Sequence, residues 1–258
     1  MDSVTSSDAA TITFERSGSG PPLVLVHGSL GNGLASWFGV KPIFEQNFTA
    51  YAIDRRGRRE TPETEGRSVE LECEDVAAVV LAIGEPVFLL GHSYGAVCAA
   101  GAAALVPDSV RKLVLYEPPM GDIPDAEFRA LEEKAAEGDW EGLVYSFLQD
   151  TVRIPQQELD MLSDSPFFTP LVEDARASFG DFLALRQYNF EAERYAPLTM
   201  PVQLLVGSES PRPEMYSTDA LKAALPDATV TELPGQAHGA LVLDPTPTAE
   251  KIAHFLLG

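Results

Sequence analysis

Short runs of apolar, often β-branched residues recur along the chain, each closed by Gly, Pro or a charged side chain. They cover Thr11 to Glu15, Leu23 to Val26, Thr49 to Ile53, Val87 to Leu90, Lys112 to Tyr116, Val202 to Val206 and Thr229 to Leu233. Runs this short, without polar alternation, fit strands buried on both faces, as in a parallel sheet. Between several of them the apolar positions change to helical spacing. Val69 to Ile83 ends at Gly84, and Tyr94 to Val106 is rich enough in Ala and Gly to lie close on a sheet. Ser217 to Leu225 and Thr248 to Leu257 complete the set. Strands alternating with helices predict an α/β fold with a mostly parallel central sheet and right-handed crossovers.

From Gly121 to Pro197 that rhythm breaks. Helix-like pieces fill this stretch (Asp125 to Glu137, Asp139 to Val152, Gln156 to Leu162 and Leu171 to Tyr188), and aromatic residues from Phe167 to Tyr195 crowd its second half. The expected organisation is a sheet core of residues 1–120 and 198–258, with residues 121–197 inserted as a helical cap. Such an insertion lies where a lid over the C-terminal edge of the sheet would sit. For any single aromatic here, packing inside the helical layer is the plainer expectation.

Composition narrows the partners. The 258 residues carry 39 acidic and 18 basic side chains, a formal charge of −21. That length can bury a large core, and that charge repels phosphate backbones and anionic lipid surfaces. No apolar run reaches the roughly 18 residues of a membrane-spanning helix. The first residues, MDSVTSSDAATITFERSGSG, lack the basic and apolar regions of a signal peptide. A cytoplasmic monomer or homodimer is expected, with no nucleic-acid or membrane partner. Cys73 and Cys98 make neither a disulfide scaffold nor a zinc spacing.

The strongest chemical signal is Gly91-His92-Ser93-Tyr94-Gly95, which follows a predicted strand and opens the Ala-rich helix. In that strand–turn–helix setting, G-x-S-x-G lifts a serine hydroxyl above the sheet edge, and the glycines permit close approach of strand and helix. Ser93 is therefore the candidate nucleophile. A serine hydroxyl needs a base, and four histidines are available. His27 and His92 sit in glycine motifs at strand ends and His254 lies on the last helix. His238, in Gly235-Gln236-Ala237-His238-Gly239, follows the last strand beside the elbow and is the candidate base.

With these residues in hand, the chain resembles proteins of the α/β-hydrolase fold. Leu23-Val24-Leu25-Val26-His27-Gly28, the elbow and the His238 loop occur in the family's order. Asp54-Arg55-Arg56-Gly57-Arg58-Arg59-Glu60-Thr61 is similar to the family's D-x-R-G-x-G-x-S turn, with Arg59 and Thr61 replacing its second glycine and its serine. The resemblance implies an oxyanion hole made by the amides of Tyr94 and of Ser29 or Leu30. The loop from Gly31 to Trp37 is expected to be flexible and to shape the pocket wall, with Trp37 a candidate substrate contact. The four arginines 55, 56, 58 and 59 are expected to pair with carboxylates rather than to meet an acidic ligand.

The triad acid departs from the family's commonest pattern. After the strand ending at Val206 the turn reads Gly207-Ser208-Glu209-Ser210, with Ser210 where an Asp is usual. Another location known in the family follows the preceding core strand, where Leu115-Tyr116-Glu117-Pro118-Pro119 stands. Glu117 is the favoured acid and Glu209 the rival, with Asp244 and Asp122 more remote. The resemblance implies hydrolysis of a small apolar ester, lactone or other acyl compound by Ser93, His238 and Glu117, without metal or organic cofactor. Two further readings stay open: a non-hydrolytic enzyme on the same scaffold (a lyase, a cofactor-free oxygenase or a cyclase), and a binding protein that has lost activity.

Overall fold

The sheet runs in the order β1-β2-β4-β3-β5-β6-β7-β8. In this computed structural model, which describes residues 1–119, 123–211, 216, 218–225 and 227–258, the strands are β1 (Asp2–Thr5), β2 (Thr11–Gly18), β3 (Pro22–Val26), β4 (Thr49–Asp54), β5 (Val87–His92), β6 (Val110–Tyr116), β7 (Val202–Gly207) and β8 (Thr229–Leu233). β1 and β2 pair antiparallel at one edge, and β4 to β8 are parallel with β3 among them. The seven expected strands are all present, three of them extended by two or more residues at one end. The additional strand, β1, is a short polar edge segment with no apolar pattern to betray it.

Strand periodicity of two explains the layers. Val24 and Val26 of β3, Tyr51 and Ile53 of β4, and Leu113 and Leu115 of β6 face one apolar layer. Leu23, Leu25, Ala50, Ala52, Val114 and Tyr116 face the other. Helices α2 (Val69–Ile83) and α3 (Tyr94–Leu105) cover the first layer, and α1 (Lys41–Phe44) and the final helix Pro245–Leu257 cover the second. Helix α2 begins on Ser68, whose side chain accepts the Leu71 N–H at 3.2 Å, and ends on Gly84 at φ 79°.

Between β6 and β7 lie α4 (Asp125–Glu137), α5 (Trp140–Ser146), a π-helical segment Phe147–Val152, α6 (Gln156–Ser163), α7 (Phe168–Glu173) and α8 (Ala175–Gln187). The expected helix Leu171 to Tyr188 is thus two helices, divided at Asp174. Phe128, Leu131, Leu143, Val144, Phe168 and Phe182 form a separate apolar cluster within this layer. Tyr195 instead packs on the sheet's own core. After β7 come α9 (Thr218–Ala224), α10 (Ala240–Leu243) and α11 (Pro245–Leu257).

Two glycines test the fold's tolerances. A Cβ on Gly95 would collide with the Val26 and His27 carbonyls, whereas one on Gly84 would meet open space and only a strained φ. Gly95→Ala should therefore lower the unfolding free energy by about 3 kcal/mol, and Gly84→Ala by about 1 kcal/mol. Urea titration of both variants checks this; equal losses would contradict the close strand–helix approach.

Candidate active site

The elbow forms because β5 ends directly against the start of α3. Ser93 adopts φ 54° and ψ −129°, and its N–H donates to Tyr116 O at 2.9 Å, tying the turn to the end of β6. An added Cβ on Gly91 would lie 2.5 Å from Ala96 Cα, so only glycine fits there. Leu30, Ser93 and Glu117 all carry positive φ, at 52°, 54° and 44°. Strain of this kind costs about 1 to 3 kcal/mol per residue and concentrates at functional sites.

Glu117, the next residue after β6, is fully buried. Its Oε2 lies 2.7 Å from His238 Nδ1, while its Oε1 accepts the Gly207 N–H at 2.8 Å and a short hydrogen bond from the Ser210 hydroxyl. Ser210, at the position where an Asp is usual, therefore serves Glu117 as a donor. Glu209 is exposed and accepts from the Ser208 hydroxyl at 3.2 Å. Asp244 accepts from Gln236 Nε2 at 2.7 Å, and Asp122 lies outside the described residues.

The His238 ring is held between two others. Tyr216 stacks on it at 5.0 Å with planes 9° apart, and His92 lies 4.7 Å away, tilted by 38°. His92 Nε2 donates to the His238 carbonyl at 3.0 Å. Burial, with His238 nearby, holds His92 well below the ordinary 6.5 of histidine, so it braces the loop as a neutral ring. With Nδ1–H donated to Glu117, His238 keeps the Nε2 lone pair for a second partner. Ser93 and His238 line one cavity of about 190 Å³ together with Ser29, Phe147, Leu148 and Leu241.

Three expectations are corrected. The Leu30 N–H donates to Ser178 Oγ of α8 at 2.9 Å, so this amide is committed and only Ser29 remains from that pair, beside Tyr94. Trp37 is fully buried in the core cluster that also contains Phe44 and Phe48, and does not line the cavity. Its large apolar ring follows the core's demand rather than the pocket's. Gly31, Ala35 and Ser36 provide the wall instead. The loop is also pinned rather than loose: Asn32 Oδ1 accepts the Leu34 and Ala35 amides, and Asp54 Oδ1 accepts that of Gly33.

The arginines pair with carboxylates, as expected. Arg55, Arg58 and Arg67 converge on the fully buried Asp181 of α8 at 2.6, 2.7 and 2.8 Å. Arg55 also meets Glu72 at 2.7 Å and donates to the His27 and Gly28 carbonyls at 2.9 and 3.1 Å. Arg56 bridges Asp8 and Asp75, and Arg59 reaches Asp54 and Glu15. Sequence reasoning missed Asp174, Ser178 and Asp181; their helical i, i+4, i+7 spacing was the available signal.

A family model described as "Alpha/beta hydrolase family" matches residues 23–251. The chain belongs to the alpha/beta hydrolase family. A 2-(acetamidomethylene)succinate hydrolase of Mesorhizobium japonicum is 28% identical to this hydrolase, covering 95% of its chain and 91% of the relative. A pyrrolizixenacetamide deacetylase of Xenorhabdus hominickii is 34% identical over a shorter stretch, spanning 41% of each protein. An alpha/beta hydrolase from Sphaerobacter thermophilus, solved by crystallography, is 29% identical with a TM-score of 0.84, over 99% of this chain and 100% of that one. Among the described residues, no helix is long and apolar enough to cross a membrane.

Burial opposes ionisation of Asp181, but the Arg55, Arg58 and Arg67 charges outweigh it and hold its carboxyl below the ordinary 3.8. An acid depressed in this way stabilises the fold above its unfolded value and loses that contribution as the pH falls toward its folded value. Asp181→Asn strands buried guanidinium groups and should cost about 3 to 5 kcal/mol at neutral pH. Urea midpoints of wild type and variant should converge as the pH falls below 3.8; a deficit independent of pH would contradict the charge pairing.

Proposed function

We propose that this hydrolase cleaves a small apolar ester, lactone or other acyl compound through an acyl-enzyme on Ser93. One observation carries the reading: the 2.7 Å contact between Glu117 and His238, with His238 and the strained Ser93 on one apolar cavity. His238 Nε2 takes the Ser93 proton as Oγ attacks the acyl carbon, and Glu117 stabilises the imidazolium and fixes its tautomer. The amides of Ser29 and Tyr94 hold the oxyanion. Collapse expels the leaving alcohol with the proton from His238, and the same nitrogen then activates water to release the acid.

Cavity size bounds the substrate. A cavity of 150 Å³ can hold benzene, so about 190 Å³ suits an acyl group of six to eight heavy atoms. The apolar walls from Phe147, Leu148, Val152 and Ile154 favour burial of hydrocarbon. Relatives named as a hydrolase and a deacetylase support hydrolytic acyl transfer.

Hydrolysis of p-nitrophenyl esters from acetate to octanoate tests this. The rate should peak at a mid-length acyl chain and vanish in Ser93→Ala. Glu117→Gln should lower kcat by about 10³-fold or more, as expected when an orienting carboxylate is lost, and Glu209→Gln should leave it within about twofold. A large loss in Glu209→Gln with activity retained in Glu117→Gln would move the acid. Consumption of substrate without release of the acid would favour a non-hydrolytic enzyme.

A further inference from the structure

The cavity wall contains a charge that its apolar lining does not require. Among the described residues, one carboxylate, Glu158, lines it, and neither Lys nor Arg does. Glu158 stands in α6 one turn before Leu162, which lines the same cavity, so the inward face of the helix presents a carboxylate at an apolar position. It is half-buried, and no hydrogen bond or ion pair among the described residues holds its side chain. A negative charge in a first helical turn does favour the helix dipole. The exposed neighbour Gln157 could carry that charge without loss of hydration.

Phe147 and Phe167 line the cavity with it. The Phe147 ring is fixed by stacking on Phe182 at 4.2 Å, with planes 16° apart. An unpaired carboxylate lining a cavity together with aromatic rings is the chemistry that holds an alkylammonium group, which joins ionic attraction to cation–π contact. The chain's charge of −21 acts in the same direction, drawing cations toward the molecule and repelling anions.

We propose that the substrate is apolar around its scissile acyl carbon and carries an ammonium group remote from it, and that Glu158 selects that group. This rests on the acyl-hydrolase reading above. Three p-nitrophenyl esters of matched length test it: valerate, and valerate with its terminal methyl replaced by trimethylammonium or by carboxylate. Wild type should rank them cationic above neutral above anionic in kcat/KM. Glu158→Gln should cut the cationic ester by about tenfold, the scale of one partly desolvated ion pair, and leave the neutral ester within about twofold. As a second measure, butyltrimethylammonium should inhibit neutral-ester hydrolysis by wild type far better than valerate does, and this difference should shrink in the variant.

Equal losses on all three esters, or an anionic ester ranked first, would overturn the selection by charge. So would a preference that survives in Glu158→Gln and disappears with added salt, because the overall field would then explain it. Neutral-ester turnover that depends on Ser93 preserves the hydrolase reading in each of these cases. Turnover of none of the three esters, with no labelling of Ser93 by a fluorophosphonate, overturns both.

Discussion

Asp181 is the carboxylate on which the rest of the architecture is registered. Its three arginine partners come from the turn after β4 and from the loop before α2, while Asp181 itself belongs to α8 of the inserted helices. A buried ion pair adds little net stability, since desolvation offsets the attraction, but it penalises every arrangement that leaves a partner unpaired. Here that penalty fixes α8 to the turn after β4 and to the loop before α2. Arg55 passes the constraint to the His27 and Gly28 carbonyls, Ser178 passes it to the Leu30 amide, and Asp174 holds Asn32 at 2.8 Å. The segment bearing Ser29 is thus held from the helical layer as well as from β3.

Ser93, His238 and Glu117, the proposed triad, are held from the opposite side. Ser93 N–H and the backbone of Glu117 are hydrogen-bonded to neighbouring parallel strands, so both residues inherit the sheet's register. His238 comes from the loop after β8 and gains its orientation from Glu117, His92 and Tyr216. A buried carboxylate after β6 needs donors, and Gly207 and Ser210 at the end of β7 supply them to Glu117. In the proposed triad, Glu117 and the Ser210 hydroxyl therefore divide between two strand ends what an Asp after β7 would do alone.

Much of this was legible in the sequence because strong local patterns and tertiary demands agree. The buried parallel strands leave apolar runs, α2 and α4 have capping glycines at Gly84 and Gly138, and the elbow needs its glycines for steric reasons. What escaped was set by long-range partners. β1 exists because β2 offers an edge, not because Asp2–Thr5 favours a strand. Leu30 and Ser29 are adjacent and look equivalent until Ser178 engages one of them. Trp37 follows a pocket-lining loop, yet its ring completes the core under the sheet. The arginine turn announced ion pairs but not which carboxylates, since Asp181 lies more than a hundred residues away in sequence.

The claim on which the account turns is that Ser93 is the activated nucleophile and that His238, held by Glu117, activates it. The most direct test is the intact mass and peptide map of the protein after brief exposure to a fluorophosphonate, compared with His238→Ala. A single adduct on the peptide containing Ser93, formed by wild type and slowed by about 10³-fold or more without His238, is the expected result. An adduct on another serine, or labelling of Ser93 at the same rate in both proteins, would contradict it.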